Sequence, residues 1–347
     1  MSLSDLAYKG PGPTHTFGCH CTKHQKKVYF IESIVTIAVF WKGKLDLSKS
    51  IIFYLVALAV ANFLLILVVT VFRDIFYFYV NISLWWPRPS CGVSNWIYFT
   101  CVYSLTWLTV AFTFDRYVIV CCSKLKLVYC TAKTTQRVIL CVYTGAFLMA
   151  MPTFFIYVPV PTVGPNGTSK DICTIRKDLN KIPILSVYDH FQTTVWIVIP
   201  LVSLMLTNGL TVWNIVITTR VRQGLKSAVA TKRQDDPEMA RRRRSIMLLA
   251  LITISFLGHW LPKMIIKVVE RLTYPPVNRY NFYHPVNVVR MLANMLIVLS
   301  SFSNMCIYAL TIEKFRKELI RGAKSVISAV CKPPQPPSLK NVEIFTT

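Results

Sequence analysis

Apolar residues gather in seven segments that alternate with stretches rich in polar residues and proline. Six of these segments are near or above the ~20 residues that a helix needs to cross the hydrocarbon of a bilayer. Their approximate ranges are 51–72, 95–120, 136–158, 191–217, 245–269 and 286–310. This pattern predicts an all-α membrane protein whose spans form one helix bundle.

The remaining apolar segment, at about 28–41, comes first in the chain and is shorter than the others. It has only about 14 residues and follows the polar run "CHCTKHQKK". By length it fits a short span, a partial span or an interfacial segment. Extending this helix towards the N-terminus would place lysines in the membrane, and each Lys at a helix centre costs roughly 2.5 to 3.5 kcal/mol of insertion free energy. We expect a bundle over residues 28–310 with a short first helix.

Both ends of the chain are polar. Residues 1–27 have no apolar core of the kind found in a secretory signal peptide, and we expect them to form an extracellular N-terminus. Residues 311–347 begin with the basic run "EKFRKEL" and continue into the proline-rich "KPPQPPSLK". They predict an amphipathic helix after the seventh span and a disordered cytoplasmic tail. Cys331, in this tail, is a candidate for palmitoylation.

Charge orients the spans. The loop at 218–244 holds nine Lys or Arg residues against three acids, which predicts a cytoplasmic location. The basic tail follows two spans later and therefore lies on the same side. Across the chain, 54% hydrophobic residues combine with a formal charge of +24 and a mean hydropathy of +0.47. A nucleic-acid-binding protein would need a polar folded body to carry such charge, so we expect a lipid bilayer and no nucleic acid as partner.

Two cysteines and two glycosylation sequons fall on the predicted outer side. Cys91 begins the third span and Cys173 precedes the fifth, in a compartment where disulfides persist, so we predict that they pair. The sequons "NIS" at Asn81 and "NGT" at Asn166 are candidate glycosylation sites.

An acid and a base adjoin in the otherwise apolar stretch "TVAFTFDRYVIVCC". From Cys91 to Arg116 is 25 residues, or about 38 Å of helix, close to the thickness of a bilayer with its headgroups. Asp115 and Arg116 should therefore lie at the cytoplasmic mouth of the third helix, where an ion pair can be partly hydrated.

The sequence contains few motifs that are typical of metal sites or of enzymes. The "CHC" at Cys19–Cys21, with His15 and His24 nearby, could bind a metal, but we predict no metal site and no cofactor. No P-loop, "HExxH" motif or Ser, His and Asp grouping occurs, so we expect no enzyme.

Several motifs together resemble the rhodopsin family of G-protein-coupled receptors. They are "FDRY" in the third span, "HWLP" in the sixth, "NMCIY" in the seventh before the basic run, Pro200 in the fifth, and the Cys91 and Cys173 pair. The resemblance covers residues 33 to 325. Within the family, "TVAFTFDRYVIVCCSKLK" and "LANML" are similar to an orphan subgroup whose better-studied members respond to tryptophan and phenylalanine.

The resemblance implies a seven-transmembrane receptor of the plasma membrane that binds an extracellular small molecule or peptide and activates a heterotrimeric G protein. Arg116 would be held by Asp115 at rest and released as the sixth helix swings outward. An interfacial ion pair without a switching role is the alternative. The residues implied in the G-protein switch are Asp115, Arg116, Tyr117, Asn304 and Tyr308. Trp260 is implied as the side chain that senses the ligand, and Pro262 and Pro200 as the prolines that kink their helices.

The same resemblance points to a ligand site. Lys263 lies inside a span, where an ammonium usually marks a function, although it could also snorkel outward or pair with Glu270. We predict that Lys263 binds a ligand carboxylate and that Asn294 hydrogen-bonds the polar head. The aromatic group of the ligand would rest against Trp260 and Tyr98.

The chain also departs from the family pattern. Asn62 replaces the carboxylate that helps to bind sodium, Met305 replaces a proline, and Asn208 replaces a tyrosine. Ser33 stands where the family has asparagine, in the short first helix. A defective first helix leaves a second function open, namely a receptor-like chain that is retained or does not signal. A transporter is a more distant third, because the spans lack mid-membrane carboxylates.

Overall fold

The computed structural model describes residues 33–41, 47–68, 88–163, 169–176, 182–228, 237–272 and 285–330. Its main helices are α1 (33–41), α2 (Lys49–Leu67), α3 (Arg88–Cys121), α4 (Ala132–Ala150), α5, α6 (Pro237–Leu272), α7 (Pro285–Thr311) and α8 (Glu313–Val330). The fifth, α5, consists of the α-helix Pro183–Thr193, the π-helical turn Thr194–Val198 and the α-helix Ile199–Ala228. Short helices Ser123–Tyr129 and Thr153–Ile156 lie on either side of α4.

Within these described residues, five helical stretches are long and apolar enough to cross a membrane. They are Lys49–Leu67, Ser90–Cys121, Ala132–Ile156, Pro183–Thr218 and Ala250–Val269. The sixth predicted long span is the 27-residue helix α7, whose apolar stretch Pro285–Ile297 is shorter. The predicted all-α membrane architecture is confirmed.

The helix ends differ from the predicted ones because hydropathy marks only the apolar part of a helix. α3, α5 and α6 each begin about eight residues earlier than predicted, at Arg88, Pro183 and Pro237. Proline suits such starts, since the first turn of a helix does not use its own N–H groups. For α2 and α4, the side chains of Ser48 and Thr131 accept hydrogen bonds from the first turn and cap it.

The predicted fourth span, 136–158, corresponds to the helical stretch Ala132–Ile156, which is interrupted near its end. α4 stops at Ala150, because Pro152 lacks the N–H that would continue the backbone ladder, and the short helix Thr153–Ile156 follows. The apolar run then continues as strand β1 (Tyr157–Val163), which pairs antiparallel with β2 (Ser169–Ile175) and aligns Pro159 with Cys173. This hairpin was not predicted.

The hairpin is tied to α3 by the predicted disulfide, which is confirmed between Cys91 and Cys173 with a Cα–Cα distance of 5.6 Å. Gly92, next to it, packs so closely on Phe154 that an added Cβ would lie 2.7 Å from its backbone oxygen. We call this end of the bundle the disulfide end, and the end with Asp115 and Arg116 the arginine end.

α3 is the central helix and packs against α2, α4, α5 and α6. Two buried clusters fill the bundle, one containing Trp196 and Trp260 towards the disulfide end and one containing Phe112 and Tyr308 towards the arginine end. Large apolar side chains remain exposed on α4 and α5, as expected of helices that face lipid.

The short helix α1 and the C-terminal helix α8 both pack on the second cluster. Phe40 of α1 is buried, with ring centroids 5.2 Å from Tyr308 and 5.1 Å from Phe315 of α8. α8 buries Phe315 and exposes its charged residues, which include the ion pair Lys317–Glu313 at 2.8 Å. The predicted amphipathic helix is present.

Candidate functional site

Asp115 and Arg116 form an ion pair near the end of α3. The prediction that this pair is partly hydrated is wrong, because both residues are buried: the exposed fraction is 0% for Asp115 and 3% for Arg116. The start of α2 and the chain between α3 and α4 cover the pair. Removing one partner of a buried ion pair strongly destabilises a protein, because the remaining charge is buried without compensation. The groups that hydrogen-bond to this pair therefore help to keep both charges stable inside the bundle.

A hydroxyl from α2 holds the carboxylate in place. Ser50 Oγ donates to Asp115 Oδ1 at 3.3 Å and Oδ2 at 3.2 Å, and it lies 2.9 Å from Thr135 Oγ1 of α4. Because an ionised carboxylate only accepts, the single proton of Ser50 points to Asp115, and Thr135 must donate to Ser50. Asp115 is thereby fixed from α2 and α4 as well as by Arg116.

The connection between α3 and α4 also reaches Asp115. The Cys130 thiol donates to the Asp115 backbone oxygen at 3.6 Å. Burial raises the pKa of the Tyr129 phenol, and the Asp115 carboxylate raises it further. The connection between α3 and α4 therefore contributes to the enclosure of the pair.

The guanidinium of Arg116 has one donor unmet. Its Cζ lies 5.6 Å from the centroid of the Phe112 ring, which provides a cation–π contact. Its buried Nε has no hydrogen-bond partner among the described residues, and an unmet buried donor costs roughly 1 to 3 kcal/mol. A rearrangement that met this donor would recover that free energy.

The other predicted switch residues lie in separate places. Tyr308 is buried in the cluster with Phe40 and Phe315, whereas Tyr117 is half-buried with its ring centroid 6.2 Å from that of Phe114. Asn304 lines a cavity between Trp260 and the arginine end.

That cavity has a volume of only about 20 Å³, room for about one water molecule, and contains the position where the family has a carboxylate. It is lined by Leu58, Asn62, Leu105, Thr109, Ile252, Ser255, Phe256, Trp260, Ser300 and Asn304. Its polar lining consists of hydroxyls and amides, with no charged side chain among these ten residues. Hard cations prefer sites that contain carboxylates, so this lining suits water better than sodium.

Trp260 packs between aromatic rings from two helices. It is 2% exposed, stacks on Phe256 at a centroid distance of 5.5 Å, and meets Trp196 edge-on at 6.4 Å. Pro262 lies inside α6 two residues later and removes one backbone hydrogen bond there. The structure thus combines the predicted aromatic side chain with a weak point in the same helix.

The π-helical turn in α5 has a local cause. Pro200 lacks an N–H, so the carbonyl four residues earlier loses its usual helical donor, and π turns occur where such ladders are interrupted. Trp196 lies in this turn, is 3% exposed, and donates from Nε1 to Thr106 Oγ1 of α3 at 3.2 Å. Pro200 therefore shapes the helix where Trp196 contacts Trp260.

The two predicted ligand anchors meet. Lys263 Nζ donates to Asn294 Oδ1 at 2.8 Å and joins α6 to α7. Lys263 is half-buried and Asn294 is exposed. Tyr98 is half-buried, with its ring edge-on to Phe99 at 5.3 Å. The pairing of Lys263 with Asn294 puts a cation and an amide together on the surface between two helices.

Residues 32–308, about four-fifths of the chain, match the family described as "7 transmembrane receptor (rhodopsin family)". The chain belongs to this family. The predicted seven-transmembrane fold is confirmed with it, and the family is one of signalling receptors. The receptor is also 23% identical over 226 residues to the Sex peptide receptor of Drosophila melanogaster. That match covers 62% of this receptor and 51% of the relative, so the receptor spans about half the length of that curated relative.

Some predicted sites of the receptor lie outside the described residues. They are the sequons at Asn81 and Asn166, Cys331, and the Cys19–Cys21 segment with His15 and His24. The side chains of Glu270 and of Arg241–Arg244 are likewise outside the described part of the receptor.

Sequence reasoning missed two parts of the receptor site. Ser50 and Thr135 gave no local signal, because single hydroxyl residues near helix starts are common caps. Lys267 had a weak signal, since it follows Lys263 by four residues and so shares its helix face. Its Nζ lies 5.8 Å from the Phe99 ring centroid and 5.3 Å from that of Trp196.

Proposed function

We propose that this receptor binds an acidic aromatic molecule or a peptide at the disulfide end and activates a heterotrimeric G protein at the arginine end. The observation that carries the proposal is the buried Asp115–Arg116 pair, held by hydroxyls from α2 and α4. Such a pair is stable only while three helices keep their spacing. It is therefore a two-state element that a movement of helices can open.

The proposed signalling step uses this element. When α6 moves outward about Pro262, Arg116 leaves Asp115 and its guanidinium meets the C-terminal helix of a Gα subunit. Arginine suits this role because it stays charged and offers a planar fork of N–H donors to backbone carbonyls. The unmet Nε donor of the resting state would find an acceptor there.

The ligand would act through Trp260. Its carboxylate would bind Lys263, Asn294 would hydrogen-bond its polar head, and its aromatic group would rest on Trp260 and Tyr98. The hydrogen bond between Lys263 and Asn294 supports this pairing of roles. The similarity to the aromatic-amino-acid subgroup favours a small ligand, whereas the name of the Drosophila relative, the Sex peptide receptor, favours a peptide.

We further propose a plasma-membrane receptor with residues 1–27 outside and 311–347 in the cytoplasm. The basic loop at 218–244 supports this orientation, since Lys and Arg concentrate on the cytoplasmic side. Burial of Phe40 against α7 and α8 favours a first helix that is supported by its neighbours over a retained, non-signalling chain.

A G-protein activation screen on epitope-tagged receptor with verified surface expression tests the proposal. Phenylalanine, tryptophan and their N-acetyl and amide forms are applied, with Arg116→Ala as the matched inactive variant. We expect activation by at least one acidic aromatic compound, lost in Arg116→Ala at equal surface density. A well-expressed receptor that activates no G protein, with or without these compounds, would refute the function, and intracellular retention would favour the alternative chain.

A further inference from the structure

Lys267 places a second cation on the face of α6 that carries Lys263. Its ammonium lies over two aromatic rings, 5.8 Å from the centroid of Phe99 and 5.3 Å from that of Trp196. Residues four apart on a helix have Cβ atoms roughly 5 to 6 Å apart, so the two lysines are neighbours. Lys267 lies one turn nearer to the disulfide end.

The aromatic rings under Lys267 are held in place from several sides. Trp196 is fixed by the π-helical turn and by its hydrogen bond to Thr106. Phe99 is 7% exposed and packs on Tyr103 at 5.8 Å and on Tyr157 of β1 at 5.7 Å. The position of the ammonium is thus preorganised by α3, α5 and the hairpin, which lowers the cost of ordering it around a ligand.

Positive charge exceeds negative charge among the described side chains of the disulfide end. The cations are Arg176, Lys263, Lys267 and Arg290, and the described acid is Asp189. Arg290 also donates to Asn287 of α7. Two neighbouring ammonium groups on one helix face, Lys263 and Lys267, favour a ligand that brings anionic groups over one that brings an ammonium.

We propose that the ligand site accepts two acidic groups, the first at Lys263 and Asn294 and the second at Lys267. The fitting chemical class is an aromatic amino acid whose nitrogen is acylated by a second carboxylic acid. Acylation removes the ammonium that the two lysines would repel, and the aromatic ring packs near Trp260. This inference deepens the proposed function and rests on its assignment of the ligand site.

The test compares N-succinyl-L-phenylalanine with N-acetyl-L-phenylalanine, which differ by one CH₂COO⁻ group. Binding is measured on purified receptor by thermal shift and by competition, and signalling is measured separately. A charge-assisted hydrogen bond corresponds to roughly ten- to hundredfold in affinity. We expect the succinyl compound to bind at least about tenfold more tightly than the acetyl compound, and phenylalanine itself to bind most weakly.

Variants assign the effect to the two lysines. Lys267→Met should bring the succinyl-to-acetyl ratio close to one, whereas Lys267→Arg should retain the preference and shows that the site still folds. Lys263→Met should weaken both compounds alike. Lys124→Met, an exposed change at the arginine end that removes the same charge, should alter neither compound.

Equal affinity of the two compounds, no binding of either, or a preference that survives Lys267→Met would overturn the two-acid site. The proposed function fails differently. A receptor that shows the succinyl preference in binding but activates no G protein would leave the two-acid site standing and refute the signalling role.

Discussion

Replacing Ser50 by alanine should raise the ligand-independent activity of the receptor. The Ser50 hydroxyl donates to both carboxylate oxygens of Asp115. Among the described side chains of α2, the structure shows this hydrogen bond to the carboxylate and no second one. Without it, Asp115 loses its tether to α2, and Thr135 loses the acceptor that directs it towards the pair. The resting state is weakened, whereas a state with Arg116 released is affected less.

The size of the effect follows from the geometry. A hydrogen bond to a charged group contributes roughly 1.5 to 3 kcal/mol. One proton shared between two oxygens at 3.2 and 3.3 Å belongs at the lower end of that range. About 1.5 kcal/mol corresponds to roughly a tenfold shift in equilibrium. A receptor that is roughly 1% active at rest would then become roughly 10% active.

The assay is basal G-protein activation, measured with a panel of Gα biosensors over a range of surface densities. Ser94→Ala is the matched control, because Ser94 is similarly buried but donates within its own helix to the Cys91 carbonyl at 3.0 Å. We expect a steeper dependence of activity on surface density for Ser50→Ala alone. If both variants follow the wild-type line, Ser50 does not restrain the switch.

Four further outcomes are expected. Cys173→Ser should lose surface expression and ligand response together, since closing a loop of 82 residues contributes about 4.5 kcal/mol in the chain-entropy model; normal maturation would contradict this. Gly92→Ala should lower the melting temperature in detergent because its Cβ would lie 2.7 Å from a backbone oxygen, whereas Gly145→Ala, with nothing within 4 Å, should be neutral or gain up to about 1 kcal/mol. Basal signalling should not respond to sodium in the wild type but should fall with sodium in Asn62→Asp, as a sodium titration against an N-methylglucamine control would reveal. Lys263→Met should cost an acidic ligand roughly ten- to hundredfold in potency and its amide little, and equal losses would remove that lysine from the site.

The parts of the receptor that sequence predicted are those with a local signal. Span positions follow from runs of apolar residues, and the Asp115–Arg116 pair is visible as two charges in such a run. The enclosure of the pair was not predictable, because Ser50 lies 65 residues away in sequence and only the packing of α2 on α3 brings it near. The last two residues of the predicted fourth span, Tyr157 and Val158, instead begin β1, because they continue the apolar run and hydropathy does not distinguish the start of a strand from the end of a helix.

The π-helical turn Thr194–Val198 divides α5 into two helices that are out of phase. Such a turn holds one residue more than an α-helical turn, so side chains before it are rotated by about 100° relative to an uninterrupted helix. In a saturation mutagenesis experiment, the buried positions of α5 are those at which polar residues are not tolerated. These positions should follow the helical period on each side of the turn, with one extra residue between the two series. An alignment without a gap, made with a receptor whose fifth helix is a regular α-helix, would therefore place each side chain of Pro183–Thr193 on the wrong face of the helix, rotated by about 100° from its true direction. Positions shared with such receptors should be matched separately on either side of Trp196.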